Sequence, residues 1–246
     1  MEDMVSTDKD KIFAEKKAAK DFDFGAKTAA VFDDMLERSV PFYTESQRMM
    51  GELAREFVQP DTNVYDLGCS TGTTLIALHP LVPKNVRFIG LDYSPEMLDK
   101  AKQKTSDLAK QRQIELRLGD FNEGIAVENA SLVIMNLTLQ FVRPLFRDAL
   151  ISQIARGLNK NGAIILIEKV LGQASDLNRL FIKKYYEFKS SNGYSEMEIA
   201  QKREALENVL IPYRTRENEQ LLLRNGFREC EIFFKWFNFC GYVAVK

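Results

Sequence analysis

The sequence has a single histidine, His79, and three cysteines among its 246 residues. One histidine cannot form a histidine metal cluster, and Cys69, Cys230 and Cys240 lack the paired spacing of structural zinc ligands. So sparse a set of cysteines favours a reducing cytoplasm. No run of about 18 apolar residues occurs, and Met1–Lys20 has no apolar segment of the secretory type. We therefore expect a cytoplasmic protein without a metal site or a membrane anchor.

Positive and negative charges are nearly balanced, with 34 Lys and Arg residues and 35 Asp and Glu residues. The chain thus lacks the positive field on which nucleic-acid binding relies, and we expect no direct contact with nucleic acid. A hydrophobic content of 45% and an aromatic content of 11% exclude a disordered chain. The length suits one large α/β domain or two small ones.

Residues 1–58 are predicted to form an N-terminal arm and a helical lid. A short helix is expected around Phe13–Ala19, and Pro41 should interrupt the helical pattern of Ala26–Val58. On the lid, Val31, Met35 and Leu36 share one helix face, and Met49, Leu53 and Phe57 share another.

After Pro60, short apolar runs alternate with helical segments, which indicates parallel strands with right-handed crossovers. The predicted strands are Asn63–Leu67, Val86–Asp92, Ile114–Leu118, Leu132–Asn136 and Ala163–Glu168, and the helices between them are Thr73–His79, Pro95–Leu108 and Pro144–Leu158.

Residues 174–215 are predicted to be a helical insertion after the fifth strand, with helices at Asp176–Phe188 and Glu196–Leu210. A C-terminal hairpin, Glu229–Phe237 with Phe239–Val245, should close the sheet. We expect an α/β protein with a doubly wound, Rossmann-like sheet of seven strands, one of them antiparallel. Residues 59–246 would then form one structural unit.

The strongest local signal is Val64–Gly72, where an acidic strand end leads into a Gly-x-x-x-Gly loop and a helix. Glycines allow unusual backbone angles and the close approach of a ligand, and the following helix N-terminus can hold a polar group. The spacing is neither Gly-x-Gly-x-x-Gly nor that of a phosphate loop. A plain glycine turn is the alternative.

Three further predicted strands end in polar side chains suited to an adenosyl group. Asp92 stands where a carboxylate accepts bonds from ribose hydroxyls, although it could simply cap a turn before Ser94. Asp120 and Phe121 could meet an adenine amino group and flank its ring. Asn136 ends the fourth predicted strand, where crevice-lining residues lie. Together these strand ends predict an adenosyl cofactor.

Arg203 lies on a helix that begins with a capping box of Ser195 and Glu198. Helical spacing puts it on one face with Ile199, Ala200, Leu206 and Leu210, where a guanidinium needs an anionic partner. A local pair with Glu207 and a bound planar carboxylate are both open.

Other candidates receive simpler interpretations. Arg38 and Tyr43 offer a second group of donors on the lid. Cys69 has no basic neighbour in sequence that would lower its pKa, so packing is expected. For His79, a surface or packing role is expected. The aromatic cluster Phe233–Phe239 indicates a sheet core or a subunit interface.

These residues resemble the carboxy-S-adenosyl-L-methionine synthase family, which is related to the class I methyltransferases that use S-adenosyl-L-methionine (SAM). The resemblance extends from about Phe24 to Val245. It rests on Arg38–Pro41 with Tyr43, and on Tyr65–Ser70, Asn136–Phe141, Asn192–Glu196, Gln201–Arg203 and Leu206–Val209. Two departures are Tyr93, where the family pattern has a small polar residue, and Phe42, where it has glycine.

The resemblance implies a reaction of SAM with prephenate that gives carboxy-SAM, phenylpyruvate and water, with hydroxide from prephenate as the base. A separate enzyme would use carboxy-SAM to carboxymethylate the wobble uridine of tRNA. By this resemblance, SAM contacts fall on Tyr43, Gly68, Cys69, Ser70, Asp92, Tyr93, Asp120, Phe121 and Asn136. Arg203 would hold the new carboxylate across a homodimer. The alternatives are a conventional SAM-dependent methyltransferase acting on a small molecule or tRNA, and a non-catalytic SAM-binding partner of a tRNA-modifying enzyme.

Overall fold

The structure is a computed structural model and describes residues 9–15 and 20–246. Short 3₁₀ turns at Leu108–Lys110 and Leu139–Phe141 supplement the main elements. In chain order these elements are α1 (Ala26–Ser39), α2 (Tyr43–Phe57), β1 (Asn63–Leu67), α3 (Thr73–Leu78), β2 (Arg87–Asp92), α4 (Pro95–Lys104), β3 (Ile114–Leu118), β4 (Ala130–Asn136), α5 (Pro144–Gly157), β5 (Leu158–Lys169), α6 (Ser175–Ser191), α7 (Glu196–Leu206), α8 (Thr215–Arg224), β6 (Glu229–Trp236) and β7 (Phe239–Val245).

The strands form one seven-stranded sheet in the order β3-β2-β1-β4-β5-β7-β6. Strands β1 to β5 pair in parallel, whereas β7 runs antiparallel between β5 and β6. The predicted fold class, including the single antiparallel strand, is confirmed. The chain order reverses between β1 and β4, and such a switch point opens a crevice at the carboxyl ends of parallel strands.

The sheet is buried on both faces. Val133 and Leu166 contribute to a cluster on one face, and Leu132 and Ile165 contribute to a cluster on the other. All four side chains are fully buried. A parallel sheet covered by helices on both sides requires such continuous apolar strands, and this rigid centre fixes the strand ends that form the site.

The lid breaks at Pro41 as predicted, since α1 ends at Ser39 and α2 begins at Tyr43. Met50 and Ala54 are fully buried at the centre of the covered face of α2, and the predicted Leu53 and Phe57 lie partly buried against the same cluster at the edge of that face. Phe42, where the family pattern has glycine, has a φ of 54°, in the left-handed region that favours glycine.

The predicted helix around Phe13–Ala19 does not form over the described residues 13–15, which are turn and bend. Its remainder lies outside the described residues. The neighbouring Asp10 is buried and well bonded, since its backbone N–H donates to Asp34 Oδ2 at 2.7 Å. This part of the expected loose arm is therefore held against α1.

The helical insertion differs in detail from the prediction. Helix α7 ends at Leu206 rather than Leu210, and α8, which follows it, was not predicted. The aromatic cluster packs α6 against the C-terminal hairpin, with Trp236 edge-on to Phe188 at 5.5 Å between ring centroids. Over the described residues, this aromatic cluster therefore packs two elements of the same chain together.

Candidate functional site

A cavity of about 310 Å³ lies at the carboxyl ends of β1, β2 and β4, beneath the lid. Nine of the ten predicted site residues line it, and Arg203 is the exception. The nine are Tyr43, Gly68, Cys69, Ser70, Asp92, Tyr93, Asp120, Phe121 and Asn136.

The loop after β1 is tightly folded onto the end of β2. The backbone N–H groups of Gly68 and Cys69 both donate to Leu91 O, at 2.7 and 3.0 Å. Gly68 has a φ of 78°, and a Cβ there would lie 2.3 Å from Thr138 Oγ1. Both the backbone angle and the lack of space therefore require glycine at this position.

Asp92 braces this loop with both carboxylate oxygens. Oδ2 accepts from the backbone N–H of Ser70 at 2.9 Å, and Oδ1 accepts from the backbone N–H of Ser94 at 3.0 Å. Burial raises the pKa of Asp92, and these backbone bonds partly offset the rise. Ser94 does cap α4, as its Oγ accepts from the N–H of Met97 at 3.1 Å. The turn-capping interpretation thus holds, but the carboxylate also lines the cavity.

The end of β3 supplies a polar and an aromatic residue. Asp120 is exposed, and its Oδ1 accepts from the backbone and side-chain nitrogens of Asn122 at 2.8 and 2.7 Å. Phe121 is buried beside it. Tyr93 is half exposed, and its ring packs edge-on against Phe24 at 5.8 Å. The wall here combines a carboxylate with aromatic surfaces.

Asn136 and Tyr43 lie deeper in the cavity wall. Asn136 Oδ1 is buried and has no hydrogen-bond partner in the described part of the chain. The hydroxyl of Tyr43 accepts from Gln47 Nε2 at 3.0 Å, and burial raises the pKa of Tyr43. A buried unpaired acceptor is costly unless a ligand donates to it, so Asn136 marks a place for a donor.

Cys69 is buried, as expected for a packing role, and His79 is partly exposed at the end of α3. Burial, with the nearby carboxylates of Asp66 and Asp92, raises the pKa of Cys69 well above its ordinary value, so the thiol stays protonated. His79 is absent from the cavity wall as the structure describes it, and its Nδ1 accepts from Arg112 Nε at 3.0 Å. The cavity therefore contains Cys69 as a protonated thiol and does not contain His79.

The predicted apolar setting of Arg203 is wrong. The buried face of α7 carries Ile199, Lys202 and Ala205, and Arg203 points to the exposed side. It makes no ion pair with Glu207 or with any other residue in the described ranges. The helix ends at Leu206, so the spacing that was extended to residue 210 does not apply.

Arg38 is likewise not a donor to the cavity. Its Nε and Nη2 donate to the backbone oxygens of Asn192 and Gly193, at 2.9 and 3.1 Å. Its Nη1 pairs with Asp34 at 3.2 Å, and the guanidinium stacks 4.1 Å from the centre of the Tyr194 ring. Arg38 therefore joins α1 to the turn before α7.

Two cavity-lining residues, Lys169 and Lys202, were not predicted. Lys169 is the last residue of β5, so the strand-end rule that selected Asp92 and Asn136 could have found it. Lys202 directly precedes Arg203, and no sequence signal shows which of these two basic residues faces the cavity. These lysines add positive charge to a cavity whose wall is largely apolar, with acidic, amide and hydroxyl groups among the aliphatic and aromatic side chains.

Within residues 9–15 and 20–246, no group of three His, Cys, Asp or Glu side chains is placed to hold a metal ion. Over the same residues, no helix is long and apolar enough to cross a membrane.

Residues 64–162 match the model of a methyltransferase domain family. The chain is 55% identical over 240 residues to the carboxy-S-adenosyl-L-methionine synthase of Methylococcus capsulatus, which covers 97% of this chain and 99% of that protein. It is 47% identical to the synthase of the same name from Sulfurimonas denitrificans, over 96% of this chain and 99% of that protein. The magnesium protoporphyrin IX methyltransferase of Synechocystis, solved with bound SAH, shares the fold with a TM-score of 0.59 at 17% identity, over 86% of this chain and 87% of that one.

Proposed function

Because the chain belongs to the carboxy-S-adenosyl-L-methionine synthase family, an enzyme family whose ligand is SAM, we propose that it makes carboxy-SAM from SAM and prephenate. Phenylpyruvate and water would be the other products. Carboxy-SAM would then serve a separate enzyme that carboxymethylates the wobble uridine of tRNA. A formal net charge of −1 agrees with a protein that serves tRNA without binding it. A cytoplasmic location belongs to the same proposal, and the free thiols of Cys69, Cys230 and Cys240 agree with it.

The observation that most supports this proposal is the convergence of nine predicted SAM contacts on one cavity. The close backbone turn at Gly68 would admit the methionine part of SAM, and the unpaired Oδ1 of Asn136 would accept from its ammonium group. Asp92, already fixed by two backbone bonds, would accept from the ribose hydroxyls. Asp120 and Phe121 would contact the adenine.

The protein would contribute positioning rather than a base. Cys69 is held as a thiol, and His79 is outside the cavity wall. The proposed reaction balances without a protein base, since prephenate becomes aromatic by losing carbon dioxide and hydroxide. The hydroxide takes one proton from the sulfonium methyl of SAM to form water, and the carbon dioxide bonds to that carbon. Holding both substrates in contact is a large part of catalysis for such a step.

The proposal includes a homodimer in which Arg203 acts on the site of the other subunit. The exposure of Arg203, and its lack of an ion pair in the described residues, support a role outside its own chain. Its guanidinium would hold the new carboxylate through paired charged hydrogen bonds. Mixing Arg203→Ala with Asp92→Asn subunits should restore activity beyond either variant alone, because mixed dimers then contain one intact site. Equal activity of the mixture and the separate variants would contradict action between subunits.

One assay tests the reaction and separates the alternatives. The enzyme is incubated with SAM and prephenate, and the cofactor product is weighed by mass spectrometry. We expect a gain of one carboxyl group, with loss of that product in Arg203→Ala and retention in Arg216→Ala, an exposed arginine on α8 that serves as the control. An unchanged cofactor would overturn the proposal. Production of S-adenosylhomocysteine with an acceptor would indicate a conventional methyltransferase, and SAM binding without any turnover would indicate a non-catalytic partner.

A further inference from the structure

The cavity continues past Asn136 to a wall between β5 and α7. Lys169, at the end of β5, and Lys202, on the buried face of α7, both line this part, together with Tyr185 of α6. The hydrogen bonds that shape the SAM side of the cavity do not involve these lysines. This wall therefore belongs to the cavity but has no role in the proposed binding of SAM.

Three ammonium groups meet here around two tyrosine rings. Lys169 Nζ lies 4.9 Å from the centre of the Tyr185 ring, and Lys202 Nζ lies 5.5 Å from that of Tyr194. Lys189 Nζ lies 5.5 Å from both rings. We name Lys169, Lys189 and Lys202 the lysine cluster. The rings stabilise the cations but supply no net negative charge.

Few acidic groups face the cluster. Asp10 Oδ2 is 4.0 Å from Lys202 Nζ, and it also accepts from the hydroxyl of Tyr194 at 2.6 Å. Asp34 is paired with Arg38, which adds a fourth positive charge nearby. Glu198 also acts on Lys189, and these three carboxylates against three lysines and Arg38 leave the region with an excess of positive charge.

Lys169 is the least compensated member of the cluster. Across the described residues, its ammonium makes neither an ion pair nor a hydrogen bond, and its one charge contact is with a tyrosine ring. Burial lowers its pKa to about 8. Burial, with Lys202 and Lys169 beside it, lowers the pKa of Lys189 to about 7, although Asp10 and Glu198 oppose that change. Burying cations without counter-charge is costly, so an anion entering from the cavity would be held strongly.

We propose that Lys169 and Lys202 form a subsite for a carboxylate of the second substrate, namely the carboxylate that keeps its charge through the reaction. This inference rests on the proposed function and assigns the residues that recognise the partner of SAM. A cation that stabilises a departing carboxylate favours the reactant over the transition state and slows the loss of carbon dioxide. A carboxylate that stays intact incurs no such penalty. Buried lysines thus suit the pyruvyl carboxylate and would leave the other free to react.

The test uses phenylpyruvate as its probe, since phenylpyruvate contains only the retained carboxylate. Its affinity is measured by calorimetry on enzyme saturated with S-adenosylhomocysteine, so that no reaction occurs. We expect Lys169→Gln to weaken binding at least about 10-fold, as for the loss of a charged hydrogen bond. Lys169→Arg should recover part of the loss. Lys160→Gln, on the exposed part of the same strand, should bind as the wild type does.

Kinetics separate this role from a structural one. Lys169→Gln should raise the KM for prephenate at least about 10-fold, with a smaller change in kcat and with SAM affinity within about twofold of the wild-type value. Wild-type affinity for phenylpyruvate in Lys169→Gln would overturn the inference. An equal effect of the substitution on the methyl ester of phenylpyruvate would overturn it too, since the ester has no charge to recognise.

Failure of the proposed function would have a different signature, because wild-type enzyme would then make no carboxy-SAM from prephenate. The affinity of Lys169→Gln for phenylpyruvate, measured by calorimetry, would still test the carboxylate subsite in that case. If circular dichroism and SAM binding show that Lys169→Gln does not fold, Lys202→Gln replaces it, and we expect the same weakening of phenylpyruvate binding. Wild-type binding of phenylpyruvate in that variant would also contradict the subsite.

Discussion

Gly68 offers a quantitative test of the cofactor loop. In Gly68→Ala, the new Cβ would lie 2.3 Å from Thr138 Oγ1 and 2.6 Å from Thr138 Cγ2, at a φ of 78°. The left-handed angle costs about 1 to 2 kcal/mol for a residue with a Cβ. Forcing the neighbouring side chain aside costs about 1 to 3 kcal/mol more. We therefore expect unfolding free energy to fall by about 2 to 5 kcal/mol.

A double-mutant cycle with Thr138→Ala separates the two contributions. That substitution removes both of the closest atoms but leaves Thr138 Cβ at 3.0 Å. Most of the steric part of the loss should disappear in the double variant, while the backbone part should persist. The coupling energy should therefore be favourable by about 1 to 3 kcal/mol.

The measurement is urea unfolding followed by the fluorescence of Trp236, the single tryptophan. Gly119→Ala is the control, since its Cβ would meet only Leu91 Cδ2, at 3.8 Å, and we expect a change within about 0.5 kcal/mol. Calorimetry should show SAM affinity reduced at least about 10-fold in Gly68→Ala, because the loop cannot keep its position. Strictly additive losses in the cycle would refute the steric argument, and a loss below about 1 kcal/mol in the single variant would refute both parts.

Three other predictions follow from the same contacts. Asp92→Asn should weaken SAM binding at least about 10-fold by calorimetry, because a carboxamide has one oxygen where two backbone N–H groups converge; Asp99→Asn, exposed on α4, is the control. Arg38→Met should lower unfolding free energy by about 2 to 4 kcal/mol, since carbonyl groups of the turn before α7 lose their donors; a loss below about 1 kcal/mol would contradict this. Lys202→Met should stabilise the ligand-free protein near pH 7, because the lysine has a pKa of about 8 when folded and 10.5 as an ordinary side chain. Between these two pKa values the unfolded wild-type protein binds more protons than the folded one, so the unfolding free energy of the wild type rises with pH. The stability advantage of Lys202→Met should therefore shrink from pH 7 to 9. An advantage that grows over this range in urea titrations would contradict the prediction.

The parts of the fold that sequence reasoning predicted are those that depend on local pattern. Apolar runs located the strands, and the break at Pro41 separated the lid helices at the right place. Helix α8 was missed because its first turns, Thr215–Gln220, are polar and show no apolar period. Its buried face, which includes Leu221 and Leu222, packs in a core cluster that only tertiary structure creates.

Sequence reasoning also predicted one part of the site and missed another. Residues at strand ends were found because the carboxyl ends of parallel strands must meet, whatever the details of packing. Residues on α7 were misplaced because helical spacing gives faces but not which face is covered. In the structure, Lys202 and not Arg203 lies on the covered face of α7. Charged residues that are buried beside a cavity run against the usual pattern of exposure, so periodicity cannot identify them.

Three of the segments on which the family resemblance rests meet at the lysine cluster, although they are far apart in sequence: those that contain Arg38, Tyr194 and Lys202. Arg38 donates to the turn at Asn192 and Gly193, and Tyr185 donates to Ser39 O at 2.9 Å. A protein that needed only SAM would have no physical reason to keep more positive than negative charge inside this junction, since apolar side chains of similar volume are often more stable there. An enzyme that must also hold an anionic substrate away from water has such a reason. Under the proposed function, the near-neutral net charge of the chain and the positive charge of the lysine cluster meet the same requirement, which is to recognise a small anion in the cavity and not a polyanion outside it.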